Sequence, residues 1–78
     1  MSQEAQILQA IADHLGLSVE DLDRHASLRD ELNLGPIELN DLLTDLSEKF
    51  DVNFTPEEIE DLKKVEDVIV LIEDNLLD

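Results

Sequence analysis

An all-α fold, a small bundle of four helices with a long connection between the first and second, is what this chain of 78 residues predicts. Apolar residues recur at steps of three and four through four segments, the spacing of amphipathic helices. Glycine and proline are absent from the interiors of those segments, and no useful length alternates β-branched with polar residues, so strands are disfavoured.

The first helix runs from about Gln3 to Leu15, with Ile7, Leu8, Ile11, Ala12 and Leu15 as its stripe and Gly16 as its C-terminal stop. A long connection follows, from Leu17 to Gly35. Its apolar residues Leu17, Val19, Leu22, Leu28 and Leu32 predict that it is packed down, with short helical turns at Val19–Leu22 and Ser27–Leu32. The second helix carries Leu39, Leu42, Leu43, Leu46 and Phe50 inward. Pro36 suits its first helical position, where a missing N–H would be an orphan donor anyway, and Gly35 its cap. Ile37, Asn40, Asp41, Thr44 and Glu48 fall on the opposite, solvent side.

Asp51–Phe54 reads as a brief extended link. Thr55-Pro56-Glu57-Glu58 is a capping box with proline at the first helical position, starting a short third helix with Ile59 and Leu62. The fourth helix spans about Val65 to Leu76, with Val65, Val68, Ile69, Ile72 and Leu76 inward and Val70 and Leu71 widening the stripe.

A single domain over 1–78 is expected, burying only about 60% of its extended-chain surface, with no length to spare for a catalytic domain. The 42% of hydrophobic residues, arranged periodically, suffices for a core despite a formal net charge of −16. Without cysteine there is no disulfide framework, thiolate metal site or cysteine nucleophile. The start, Met1-Ser2-Gln3-Glu4, lacks the basic and apolar runs of a signal peptide, and no segment approaches a membrane span, so a cytoplasmic protein is expected. Twenty-one acids against five Lys plus Arg create a field that repels nucleic acid and anionic lipid and steers toward basic protein surfaces.

No enzyme constellation is present. There is no Ser/His/Asp arrangement and no phosphate-binding glycine loop. His14 and His25 lack paired-ligand spacing and read as helix-end or loop residues. Glu20-Asp21-Leu22-Asp23 and Glu73-Asp74 offer oxygen ligands without the twelve-residue calcium loop, so no dedicated metal site is expected.

From His14-Leu15-Gly16 through Ala26-Ser27-Leu28, Glu31-Leu32, Ile37-Glu38, Glu48-Lys49-Phe50-Asp51 and Pro56-Glu57-Glu58 to Val65, the chain resembles the acyl carrier protein family. The resemblance implies that family's four-helix bundle and its long first loop. In that family an Asp-Ser-Leu opens the second helix, and the serine hydroxyl bears 4'-phosphopantetheine, whose thiol carries the acyl group. Aligned backwards from Phe50-Asp51, those three positions hold Gly35, Pro36 and Ile37. Proline has no hydroxyl to act as a nucleophile toward the pyrophosphate of coenzyme A, so 4'-phosphopantetheine is expected to be absent.

The resemblance also assigns an electrostatic contact set. Glu38, Asp41 and Glu48 match acidic positions on the second helix, Glu57 and Glu60 match acids on the third, and Ile37 stands in place of the outward leucine that contacts enzymes. Partners implied are the basic surfaces of acyl-transfer or carrier-recognising proteins in a fatty-acid or polyketide-type pathway. The domain itself is expected to be a non-enzymatic monomer that touches neither nucleic acid nor membrane. Asn40 and Thr44 depart from the larger apolar side chains usual in the family, which implies a narrower or different partner set. An acyl cleft by resemblance would border Leu46, Phe54, Ile59, Leu62, Ile69 and Ile72, against an ordinary filled core as the plainer reading.

Two alternatives stand beside the interaction module. A working carrier would be modified at another residue, with Ser27 in the loop and Ser47 on the second helix as the nearest serines. An acidic inhibitor or charge mimic would bind in a way that salt abolishes and Ile37 does not govern.

Overall fold

The computed structural model describes residues 2–76, and Met1, Leu77 and Asp78, which close the expected span 1–78, lie outside the described residues. Its helices are α1 (Gln3–Leu15), α2 (Pro36–Phe50), α3 (Pro56–Glu60) and α4 (Val65–Leu76), with a single 3-10 turn at Val19–Asp21. Among the described residues no strand forms, and one isolated antiparallel bridge joins Ser27 to Lys64.

Each helix begins and ends for a local reason. The Ser2 hydroxyl accepts the Ala5 N–H at the start of α1, and Gly16 closes it in the left-handed region at φ 72°, returning its N–H to Ala12 and Asp13. Thr55 and Glu58 exchange hydrogen bonds at the start of α3, the reciprocal capping expected from the sequence. The end of α2 is less legible: Asp51 takes φ 54° without being glycine and closes the helix as a left-handed cap, so the Asp51–Phe54 link starts as a tight turn. Asn33 is the other non-glycine residue at positive φ, at 57°. Asparagine and aspartate tolerate that region better than other side chains do.

α1 packs against both α2 and α4. Ile7 and Ile11 of α1, Leu42 and Leu46 of α2, and Val65, Val68, Ile69 and Ile72 of α4 are the largest fully buried side chains. Each contributes about 1.5–3 kcal/mol of apolar burial, which is what offsets the chain's ordering entropy and self-repulsion.

The long connection is tied down by backbone pairing rather than by helices. Leu28 donates to Lys63 O, Val65 to Ala26 O and Glu66 to Arg24 O, at 2.8–3.1 Å, so the loop's carbonyls also cap the otherwise orphaned first N–H groups of α4. Leu22, Ala26, Leu28 and Leu34 are buried beneath it. Ser27–Leu32 forms hydrogen-bonded turns in place of the expected helical turn, and Leu17, expected to pack down, is 40% exposed. Leu62 lies just past α3 rather than on it. Val70, expected to widen the inward stripe of α4, instead faces out at 50% exposure, because the buried arc is already filled by Val65, Val68, Ile69 and Ile72.

Candidate functional site

The N-terminus of α2 stands over the packed loop, and its sequence explains its geometry. Gly35 is the cap, in extended conformation at φ −76°, and Pro36 occupies the first helical position. With no side chain at 35 to receive the first N–H groups, the capping runs in one direction only: Glu38 reaches back and its Oε1 accepts the Gly35 N–H at 2.9 Å. A Cβ at position 35 would lie 2.6 Å from Glu38 Oε1, so the flexible Glu38 side chain takes this placement because residue 35 is glycine. Leu34 and Leu39 flank the cap as a hydrophobic staple, fixing the angle at which the chain enters the helix.

A groove of about 640 Å³ opens beside this turn. Leu28, Leu34, Leu39, Ile59 and Leu62 make its apolar wall, Gly35, Pro36 and Ile37 its edge, and Arg29, Lys63, Asp41 and Glu60 its charged rim. Arg29 and Lys63 escaped notice in the sequence because nothing local marks them; the loop pairing through Leu28 and Lys63 is what carries both here. Leu34 had a usable signal, the apolar residue before a cap followed five positions later by another.

The expected contact residues are all exposed, and they do not all line one groove. Ile37 is 74% exposed and shares the groove's edge with Asp41 and Glu60. Glu48 borders a separate hollow of about 290 Å³ with Thr44, Phe54 and Ile59, while Glu57 lines neither. Glu38 is partly committed to its own helix cap. Of the six residues expected around an acyl cleft, Ile59 and Leu62 line the main groove and Phe54 the smaller hollow, whereas Leu46, Ile69 and Ile72 are sealed in the core.

Position 36 offers no oxygen or thiol. The two nearest serines are engaged: Ser27 Oγ accepts the Asp30 N–H at 3.1 Å, and the half-buried Ser47 hydroxyl donates to the Val52 carbonyl. Ser47 is therefore a clasp between α2 and the chain that follows, doubled by the Val52 N–H to Ser47 O bond at 3.2 Å.

Farther along α2, His14 Nδ1–H donates to Asp45 Oδ2 at 3.0 Å, and Lys49 approaches the same oxygen at 3.4 Å. Burial pushes the Asp45 carboxyl up, but the hydrogen bonds from His14 and Lys49 and their charges outweigh it and hold the pKa below the ordinary carboxylate value. This cluster ties α1 to α2. Among the described residues no group of three or more His, Asp or Glu side chains is arranged to hold a metal ion, and no helix is long and apolar enough to cross a membrane.

Residues 5–72 match the phosphopantetheine attachment site family. The chain is similar to the acyl carrier protein of Chlamydia trachomatis serovar L2, at 35% identity over 96% of this chain and 97% of that one. It is 33% identical to the acyl carrier protein of Exiguobacterium sp. strain ATCC BAA-1283 / AT1b over 90% of this chain and 89% of that one. The crystal structure of the acyl carrier protein from Thermotoga maritima superposes with a TM-score of 0.76, at 25% identity, covering 94% of this chain and 85% of that one. The helical bundle, its pinned first loop and these matches together place the chain in the acyl carrier protein family.

Proposed function

We propose that this chain is a carrier-shaped interaction module that bears no phosphopantetheine and docks, through the face around the head of α2, onto basic surfaces of acyl-transfer or carrier-recognising proteins. The observation that carries this reading is Pro36: it is exposed, starts α2 and has no hydroxyl from which an arm could be built. The engagement of Ser47 with Val52 and of Ser27 with Asp30 speaks against a substitute attachment point at either.

Ile37 is the apolar anchor of the docking face, with Asp41 and Glu60 beside it and Glu38, Glu48 and Glu57 supplying the surrounding negative field. Each exposed charge pair contributes less than about 1 kcal/mol, so the acids act mainly on encounter rate and orientation while Ile37 contributes burial. The module would then occupy the seat of a loaded carrier without delivering anything.

Competition tests this. Added to a phosphopantetheinyl transferase that is loading an ordinary acyl carrier protein, the chain should slow loading in a concentration-dependent way while gaining no mass itself. Ile37→Asp should relieve that inhibition. Unchanged loading at a large excess of the chain would remove the docking reading, and inhibition that ignores Ile37 and vanishes with salt would favour a charge mimic instead.

A further inference from the structure

The outer face of α4 carries a second groove, of about 430 Å³, that shares no residue with the docking set around α2. Its apolar floor is Leu62, Val70 and Leu71, with Val70 50% exposed and the two leucines half-buried. An exposed β-branched residue in mid-helix gives up about half a kcal/mol of helix propensity relative to alanine, and it joins two leucines here rather than standing alone. The rim is acidic throughout, and among the described residues no Lys, Arg or His lines it.

The rim acids are not equivalent. Glu58 and Asp67 accept backbone N–H groups at the starts of α3 and α4, and Glu66 sits 3.3 Å from His25 Nδ1. Asp61 and Asp74 receive neither a hydrogen bond nor an ion pair from any described residue, and both border the Leu62–Val70–Leu71 floor. An apolar floor with free carboxylates and no counter-charge is complementary to one kind of occupant. A second copy of this chain, at net charge −16, is repelled from it.

We propose that this groove is a second docking surface, taking a basic amphipathic helix of a partner protein: an aliphatic side chain against Val70 and Leu71, and flanking Arg or Lys on Asp61 and Asp74. It contains none of the docking residues around α2 and shares only Leu62 with the groove beside them, so the chain could hold two partners at once.

The test uses the full chain, isotope-labelled for NMR, and a synthetic amphipathic peptide of leucine, alanine and arginine with its leucines on one face. Amide shifts are expected at Leu62, Val70, Leu71 and Asp74. Val70→Glu is decisive, because it adds negative charge: attraction by charge alone would tighten binding, whereas docking on the floor weakens it by about tenfold, the effect of losing one buried aliphatic contact. Val70→Ala, which keeps helix and charge, should weaken binding in the same direction, and Ile37→Asp should leave the peptide's affinity unchanged. Circular dichroism verifies that each variant stays folded. Absence of binding, shifts centred on Ile37 and Asp41, or equal or tighter binding by Val70→Glu would each overturn the proposal.

Discussion

The two ends of α2 are held in different ways. At the C-terminal end, Ser47 clasps Val52, Asp51 turns the chain in the left-handed region, and Asp45 gathers His14 and Lys49. Just inside it, Leu46 is completely buried. At the N-terminal end a glycine caps, a proline begins, one glutamate reaches back, and Ile37 is left 74% exposed. One end is tied down, and the other, in the docking proposed above, presents Ile37 to a partner. In a small domain that division follows from scarcity: the few kcal/mol of net stability must be concentrated where burial is possible, so that the other end can remain open to a partner.

That contrast is most strongly tested in the core half of the helix. Leu46→Ala should cost about 3 kcal/mol by emptying a fully enclosed site, read as a lower midpoint in urea at unchanged slope. A loss under about 1 kcal/mol would mean that the C-terminal half is not the anchored one.

Asp45→Asn comes next, with a loss below about 1 kcal/mol at neutral pH, since both partners are about a third exposed. The sign follows from the lowered pKa. A carboxyl held below its unfolded value of about 3.9 contributes fully above that value, and its contribution fades as pH falls through the folded value. Wild type and variant should therefore differ at pH 7 and converge in acid, as pH falls through the lowered folded-state pKa. A gap that widened in acid would contradict the cluster's role.

Effects shrink at the presenting end. Gly35→Ala should cost at most about 0.5 kcal/mol, because the new Cβ makes the Glu38 carboxylate shift within the cap while the backbone at φ −76° accepts alanine without strain. Chemical-shift changes confined to Gly35–Leu39 would show that the disturbance is local. Pro36→Ser should alter stability by less than about 0.5 kcal/mol, since it changes only an exposed first-turn residue. On the reading proposed above, which sets Gly35 against the aspartate beside the family's attachment serine, a transferase should load that variant only partly; loading as rapid as that of an ordinary carrier would show an intact recognition surface.

Much of the fold was legible because it rests on local signals. The stripe of α4, the Thr55–Glu58 box and the Gly16 stop are written within a few residues each, and helix boundaries followed from them. What was not legible depends on residues far apart in the chain. Nothing near Arg29 or Lys63 places them on one groove; that follows from how the loop pairs with the α3–α4 junction. Val70 was misjudged for a related reason, since periodicity indicates an apolar arc but not where neighbouring helices stop covering it.

The account rests on the absence of an attachment oxygen at the head of α2. Intact mass spectrometry of the chain purified from its native cell tests that most directly. The mass should equal that of the unmodified polypeptide, before and after exposure to coenzyme A and a phosphopantetheinyl transferase. A gain of one phosphopantetheine arm, lost again on Ser27→Ala or Ser47→Ala, would make the chain a working carrier and contradict the account.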